Sequence, residues 1–292
     1  MEGPLSGDED RVVDLNAAKQ FIATADNEVD ALEFARLCLG RDHVGRIADW
    51  YAQRQNPDGG FGGLGRLGEY AASASSMFST LRWLRQLILL GLTDSDTARR
   101  AANFIAGRQQ PDGSFHEAPG LDADALPTWA APGCPGTAQR LTACACWLLP
   151  MVDDSFEKCV EAGMGLLDQI WSAHRGFLGD SHEPYVEGVG LFTRAEGIEG
   201  RRTLACIEHL DCYWDVLPFW NFPRIVEVAM TAGLPAGDGL LVRCAAKIEN
   251  TQMSDGSWVD GFSLKRSVQA TVLACHALKL VGAPAPAPAL EK

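Results

Sequence analysis

Apolar residues along this chain recur at helical spacing, in stripes that start again at intervals. Val44, Ile47, Ala48 and Tyr51 form one i, i+3, i+4, i+7 stripe; Ala98, Ala101, Ala102 and Ile105 form a second, and Leu241, Cys244, Ala245 and Ile248 a third. A narrow stripe with charges opposite, such as Arg99 and Arg100 or Arg243 and Lys247, predicts a helix that buries one face. Each stripe runs at a fixed offset into a similar phrase: Gln55-Asn-Pro-Asp58-Gly59-Gly60-Phe61, Gln110-Pro-Asp112-Gly113-Ser114-Phe115 and Gln252-Met-Ser-Asp255-Gly256-Ser257-Trp258. The same offsets back from Phe177 give Val160, Gly163, Met164 and Leu167, a degenerate fourth copy. It ends in His174-Arg-Gly176-Phe177, with Trp171 near the Gln position and His174 replacing the Asp.

A second kind of segment follows each phrase. Residues 70–92, 136–152, 210–232 and 266–281 are apolar nearly all round, as in Leu141-Thr-Ala-Cys-Ala-Cys-Trp-Leu-Leu149, and a similar stretch, 29–39, precedes the first phrase. A helix apolar on all sides is buried. Helix, Asp-Gly loop, helix is therefore the repeating unit, and a chain of such hairpins forms either an open solenoid or a closed ring. Alternation of one-faced and all-round apolar helices predicts the ring, with the apolar helices inside. The expected fold is all-α: an α/α toroid, about an α6/α6 barrel, over residues 28–282 as one domain. Residues 1–27 are read as an N-terminal segment with an acidic start and a leading helix, and 283–292 as a flexible Pro/Ala-rich tail.

The repeated phrase between helix pairs resembles the QW repeats of the triterpene cyclases and protein prenyltransferase β subunits, over most of the chain. The resemblance implies inner helices ringed by outer ones and an isoprenoid-binding cavity on the axis, here as a single stand-alone barrel. It implies a small terpenoid cyclase-like enzyme of class II type, an isomerase or lyase. In it, acid starts the cyclisation or isomerisation of a polyene or prenylated substrate in a central apolar cavity. Two alternatives stand beside it: a non-catalytic toroid that binds an isoprenoid, another lipid or a protein, and a prenyltransferase. The phrase itself reads as scaffold: glycine permits left-handed backbone, Asp bonds the turn, and the aromatic stacks over the neighbouring Gln. Asp58, Asp112 and Asp255 are accordingly structural.

Composition narrows the partners. A net charge of −13 with no basic run argues against nucleic acid and anionic lipid surfaces. The longest aliphatic run, Leu87-Ile-Leu-Leu-Gly-Leu92, is too short to span a bilayer. The first ten residues have neither a basic leader nor an apolar core, and the protein is expected to be cytoplasmic. Nine cysteines, an odd number set in apolar stretches, fit reduced thiols. The expected partner is a hydrophobic, isoprenoid-like small molecule, with no cofactor; magnesium and zinc are weak alternatives.

Candidate chemistry gathers where inner helices begin. His209-Leu-Asp211-Cys212-Tyr213-Trp214-Asp215 sets two carboxylates one turn apart beside an imidazole and two aromatics. Read as the head of an inner helix, it supplies Asp211 and Asp215 as acids, which burial near a second carboxylate keeps protonated, with His209 beside them. Tyr213, Trp214, Phe219, Trp220, Tyr70 and Tyr185 are the expected aromatic lining for a carbocation. The competing reading makes Asp211 a helix cap and pairs Asp215 with Arg224. Class II cyclases carry Asp-x-Asp-Asp; the nearest string here is Asp122-Ala-Asp124-Ala125, from which Asp124 can reach the rim.

Other strings are weaker. Asp211-Cys212-Tyr213-Trp214 has the wrong spacing for a prenyltransferase zinc site, and His276 lies too deep on its helix to complete one. Asp153-Asp154-Ser-Phe-Glu157 looks like a magnesium motif but sits at the opposite rim, where a capping role explains it. Residues 180–202 break the repeat and are read as a rim insertion carrying His182, Glu183, Tyr185 and Glu187. Arg201, Arg202, Lys265 and Arg266 are the cations available for a pyrophosphate.

Overall fold

The computed structural model describes residues 13–24, 28–62, 74–117, 135–178, 182–258 and 264–282. Among these residues twelve α-helices alternate between two rings. The outer helices are α1 (Leu15–Thr24), α3 (Val44–Ala52), α5 (Asp96–Ala106), α7 (Glu157–His174), α9 (Arg201–Cys212) and α11 (Gly239–Asn250). The inner ones are α2 (Glu28–Leu37), α4 (Met77–Leu89), α6 (Pro135–Leu148), α8 (Glu183–Glu196), α10 (Asn221–Thr231) and α12 (Leu264–Leu280). Burial separates the classes: α9 buries only Thr203, Cys206 and Leu210, whereas α8 is buried without a break from Pro184 to Thr193. Inner helices pack on one another in the order α4, α6, α8, α10, α12, α2. The ring closes where Gln86 of α4 donates to Glu33 of α2, 3.0 Å. The all-α toroid is thus the fold.

The Asp-Gly turns tie each hairpin to the next. In each, a Gln amide donates both to the carbonyl of the turn glycine and to a backbone carbonyl at the start of the following outer helix: Gln55 to Gly59 and Thr97, Gln109 to Gly113 and Cys159, Gln252 to Gly256 and Asp14. The glycines have φ of 88°, 89° and 85° and lie against that same helix. A Cβ on Gly113 would stand 2.3 Å from the Ala162 carbonyl oxygen, and one on Gly59 2.6 Å from that of Arg100. The aspartates accept from the backbone N–H two residues on, and their neighbours' hydroxyls hold the carboxyls of Asp112 and Asp255 below the usual range. The buried aromatics Phe61, Phe115 and Trp258 donate their backbone N–H to Thr80, Thr142 and Thr271 of the inner helix.

Three expectations change. The clamping residue of the second turn is Gln109, not Gln110, which shifts the phrase to Gln-x-x-Asp and leaves the amide bonding carbonyls rather than lying under the aromatic. The leading helix, assigned to the 1–27 segment, is the sixth outer helix, α1: Asp14 caps it, donates to Gln252 and accepts from it, and so closes the outer ring. Residues 180–202 are not an insertion, because 183–196 form the inner helix α8. It carries Gly188 against the outer helix α9 and Gly190 on another side against α10, where a Cβ would fall 2.7 Å from Cys206 Sγ and 2.5 Å from Val228. Close packing through glycine replaces the large apolar residues that mark the other inner helices.

Candidate functional site: the chamber of the inner ring

Each inner helix follows an outer helix and a turn, so all six run parallel and start at one rim. Down the axis of the ring the inner helices carry charge where an apolar lining was expected. Arg85 of α4 donates to Glu187 of α8, a helix two places along the ring, and Arg224 of α10 donates to the same Glu187 oxygen. The Arg85 Nε also lies 4.0 Å from Glu227 of α10. Nearer the rim Arg140 of α6 pairs with Glu183 of α8 at 2.7 Å and stacks over Phe78, 4.7 Å from its centroid. Arg82 of α4 reaches Gln269 of α12. Contacts between helices that are not ring neighbours can form only through the central space, which places Arg85, Glu187 and Glu227, and Arg82 with Gln269, in a belt around the chamber; Arg224 joins them at the shared Glu187 oxygen. The chamber's exposed positions keep helical register, as with the partly exposed Gln269, Leu273 and His276 on α12.

Burial sets the protonation of this belt. The Glu227 carboxyl is pushed up by burial, against the pull of Arg85 and Arg224, so its proton is held more tightly than on a surface glutamate. Burial, with Arg85 alongside, brings Arg224 down to about 9. Burial together with Lys279 lowers His276 to about 4, which keeps it neutral. Glu33 stands apart, between α2, α3 and α4, where the Tyr51 hydroxyl donates to it at 2.5 Å; burial raises it to about 8.

The chain's overall geometry matches proteins of known activity. No family model matches the chain, and no curated protein matches its sequence. Solved structures do. The type II terpene cyclase MstE from Scytonema, as a variant in complex with its substrate geranylgeranyl dihydroxybenzoate, superposes with a TM-score of 0.58 at 14% identity, covering 91% of this chain and 96% of that one. A second variant, in complex with the product merosterolic acid A, gives 0.56 at 15% identity over 91% and 95%. Apo MstE gives 0.56 at 14% over 91% and 96%. This chain has the fold of the type II terpene cyclases.

Of the residues singled out from the sequence, Glu183 and Glu187 belong to the belt, and the 209–215 cluster does not. The segment 209–215 does not open an inner helix: it closes the outer helix α9 and turns through Trp214–Val216. Asp211 bonds Arg243 of α11 at 2.7 Å with 38% of its side chain exposed, and Asp215 is exposed. Asp215 does not pair with Arg224, whose partner is Glu187. Trp214 packs edge-on against Phe222 beneath the Arg243 guanidinium, and Phe219 and Trp220 are half-buried in the approach to α10. Asp122, Asp124 and Tyr70 lie outside the described residues. Asp153 caps the turn before α7 by accepting from Ser155, and Arg202 pairs with Asp168 and Glu196 on the outer wall.

Tyr185, His209 and Tyr213 do come together, with His182. Tyr185 stacks on His209 at 3.5 Å, Tyr213 lies 4.8 Å from His209, and His182 Nδ1 stands 3.3 Å from His209 Nε2. Tyr185, His209 and Tyr213 border a pocket of about 570 Å³ between α7 and α9, also lined by Trp171, Arg175, Glu208 and Cys212. Burial and then His182 bring His209 down to about 4. This pocket opens between outer helices and does not contain the belt residues. Sequence reasoning missed Arg85, Arg140 and Glu227, named Arg224 only as a partner for Asp215, and named Glu183 and Glu187 as candidates on a rim insertion rather than on an inner helix.

Proposed function

We propose that the protein is a small class II-like terpenoid cyclase, acting on a polyene or prenylated substrate in the chamber of the inner ring. The observation that carries the reading is Glu227: a carboxyl inside a type II cyclase fold, kept toward its protonated form by burial and reached from the chamber by a guanidinium 4.0 Å away. Acid-initiated cyclisation needs a carboxyl that keeps its proton until an alkene is presented. The proton adds to one alkene carbon, the resulting cation is attacked by a second double bond, and loss of a neighbouring proton, or capture of water, ends the sequence without redox change. The carboxylate left behind is stabilised by Arg85 and Arg224, which Glu187 holds in place. In this reading Asp211 and Asp215 supply surface pairing and solvation rather than acid, and Asp124 is a second acid candidate.

Support also comes from the MstE structures, whose ligands are a prenylated aromatic acid and its cyclised product. Absence of a full Asp-x-Asp-Asp string in the sequence favours a second reading, a toroid that binds an isoprenoid without transforming it. Incubation with unphosphorylated polyenes, prenylated aromatic acids and prenyl diphosphates, followed by mass spectrometry of extracted products, separates the two. Cyclised product from wild type and none from Glu227→Gln supports the enzyme. Binding without product from any substrate class supports the binding protein.

A further inference from the structure

We infer that the belt seats the head group of the substrate as a single carboxylate between Arg85 and Arg224, an inference that rests on reading the chamber as a site for a prenylated substrate. Both guanidinia converge on one oxygen of Glu187. This leaves Arg85 Nη1, Arg224 Nε and the second oxygen of Glu187 buried with no hydrogen-bond partner among the described residues. A bare guanidinium N–H in the interior keeps its full desolvation cost until an acceptor arrives. The acceptor that best fits a guanidinium is planar and anionic.

The site is built and it is reachable. Arg85 is 8% exposed and Glu187 wholly buried, so their positions are fixed by packing, while 17% of the Arg224 side chain meets open space although it sits inside the ring. Charge decides which anion fits. Arg85 and Arg224 share a single oxygen of Glu187, and burial favours the neutral form of Glu227, the next carboxyl, so two guanidinia meet one closely bound carboxylate. One surplus charge suits a monoanion. A diphosphate brings more charge than the belt can balance unless a divalent cation comes with it, and among the described residues no group of three His, Cys, Asp or Glu is gathered to hold one.

The test titrates the full chain, without added metal, with three ligands of equal tail: geranylgeranoate, geranylgeraniol and geranylgeranyl diphosphate. The carboxylate is expected to bind about tenfold or more tighter than the alcohol, the worth of one charged hydrogen bond. Arg224→Gln is expected to bring the ratio of carboxylate to alcohol affinity close to one, whatever it does to the absolute affinity of either. Equal affinity of wild type for carboxylate and alcohol overturns the inference without recourse to any variant. So does an advantage that survives both Arg224→Gln and Arg85→Gln, and a diphosphate that binds tighter than the carboxylate overturns the choice of head group. If the alcohol is cyclised with no preference for an anion, only this inference falls; if none of the three binds, the proposed function falls with it.

Discussion

Replacing Glu33 by Gln should stabilise the protein, and increasingly so as pH rises. Glu33 is buried on α2, accepts from Tyr51 and Gln86, and is raised by burial, with Asp30 adding to the shift, from 4.5 to about 8. Its folded value lies above its unfolded value, so at low pH both states carry the proton and the group costs nothing. As pH passes 4.5 the unfolded chain ionises while the folded chain does not, and stability is lost until the folded carboxyl ionises near 8. One withheld proton corresponds to ~1.4 kcal/mol per pH unit, hence ~4 kcal/mol between about pH 5 and 8. Gln keeps the shape and cannot ionise. With an unfolding entropy of about 2.1 cal/mol/K per residue, the melting temperature of Glu33→Gln should gain about 6 °C on wild type over that interval. Calorimetry at several pH values reads the difference directly. Parallel curves for the two proteins across the interval would refute the reasoning, because they would mean that Glu33 ionises as freely in the folded state as in the unfolded one.

Four further outcomes follow from the packing. Gly113→Ala, forced against the Ala162 carbonyl at positive φ, should cost about 3 kcal/mol or more, while Gly40→Ala, at φ 66° with nothing within 4 Å, costs about 1; urea unfolding separates them. Gln109→Ala should lose about 1–3 kcal/mol by exposing the Cys159 and Gly113 carbonyls, and Gln110→Ala under about 0.5, which tests the register of the turn. Glu187→Gln strips the shared carboxylate from Arg85 and Arg224 and should cost about 3 kcal/mol or more, against under about 1 for Asp211→Asn on its exposed pair. In NMR titration the His209 ring should stay neutral down to about 4, since burial and His182 oppose its charge; a midpoint near 6.5 contradicts that environment.

The ring was legible because its cause is periodic. One-faced stripes and Asp-Gly turns recur, and each turn's glycine and glutamine perform the same contact with the next hairpin. The site was not legible for the opposite reason. Arg85 lies one turn from Arg82 and Glu227 one turn from Arg224, but what gathers them into a site is contact with helices across the ring, which the sequence pattern does not display. Glu187 was visible but misplaced, since Gly188 and Gly190 disguised α8 as a loop. With that helix missed, the next inner segment was started too early, at 210 instead of 221, and so 209–215, with its dense carboxylates and aromatics, was assigned to the inner ring when it ends an outer helix. Of that segment His209 and Tyr213 gather with Tyr185 of α8 around the outer pocket, while Trp214 packs on Phe222 instead. Among the described residues no helix is long and apolar enough to cross a membrane, in line with the short aliphatic run at 87–92.

Acid initiation leaves an isotopic trace, and that trace tests the central claim most directly. Cyclisation of a polyene in deuterium oxide should place one non-exchangeable deuterium on carbon in the product. Asp211→Asn and Asp215→Asn should retain the activity, and Glu227→Gln should abolish it while leaving substrate binding in place. Product that carries no deuterium, or a wild-type rate from Glu227→Gln, would contradict the account.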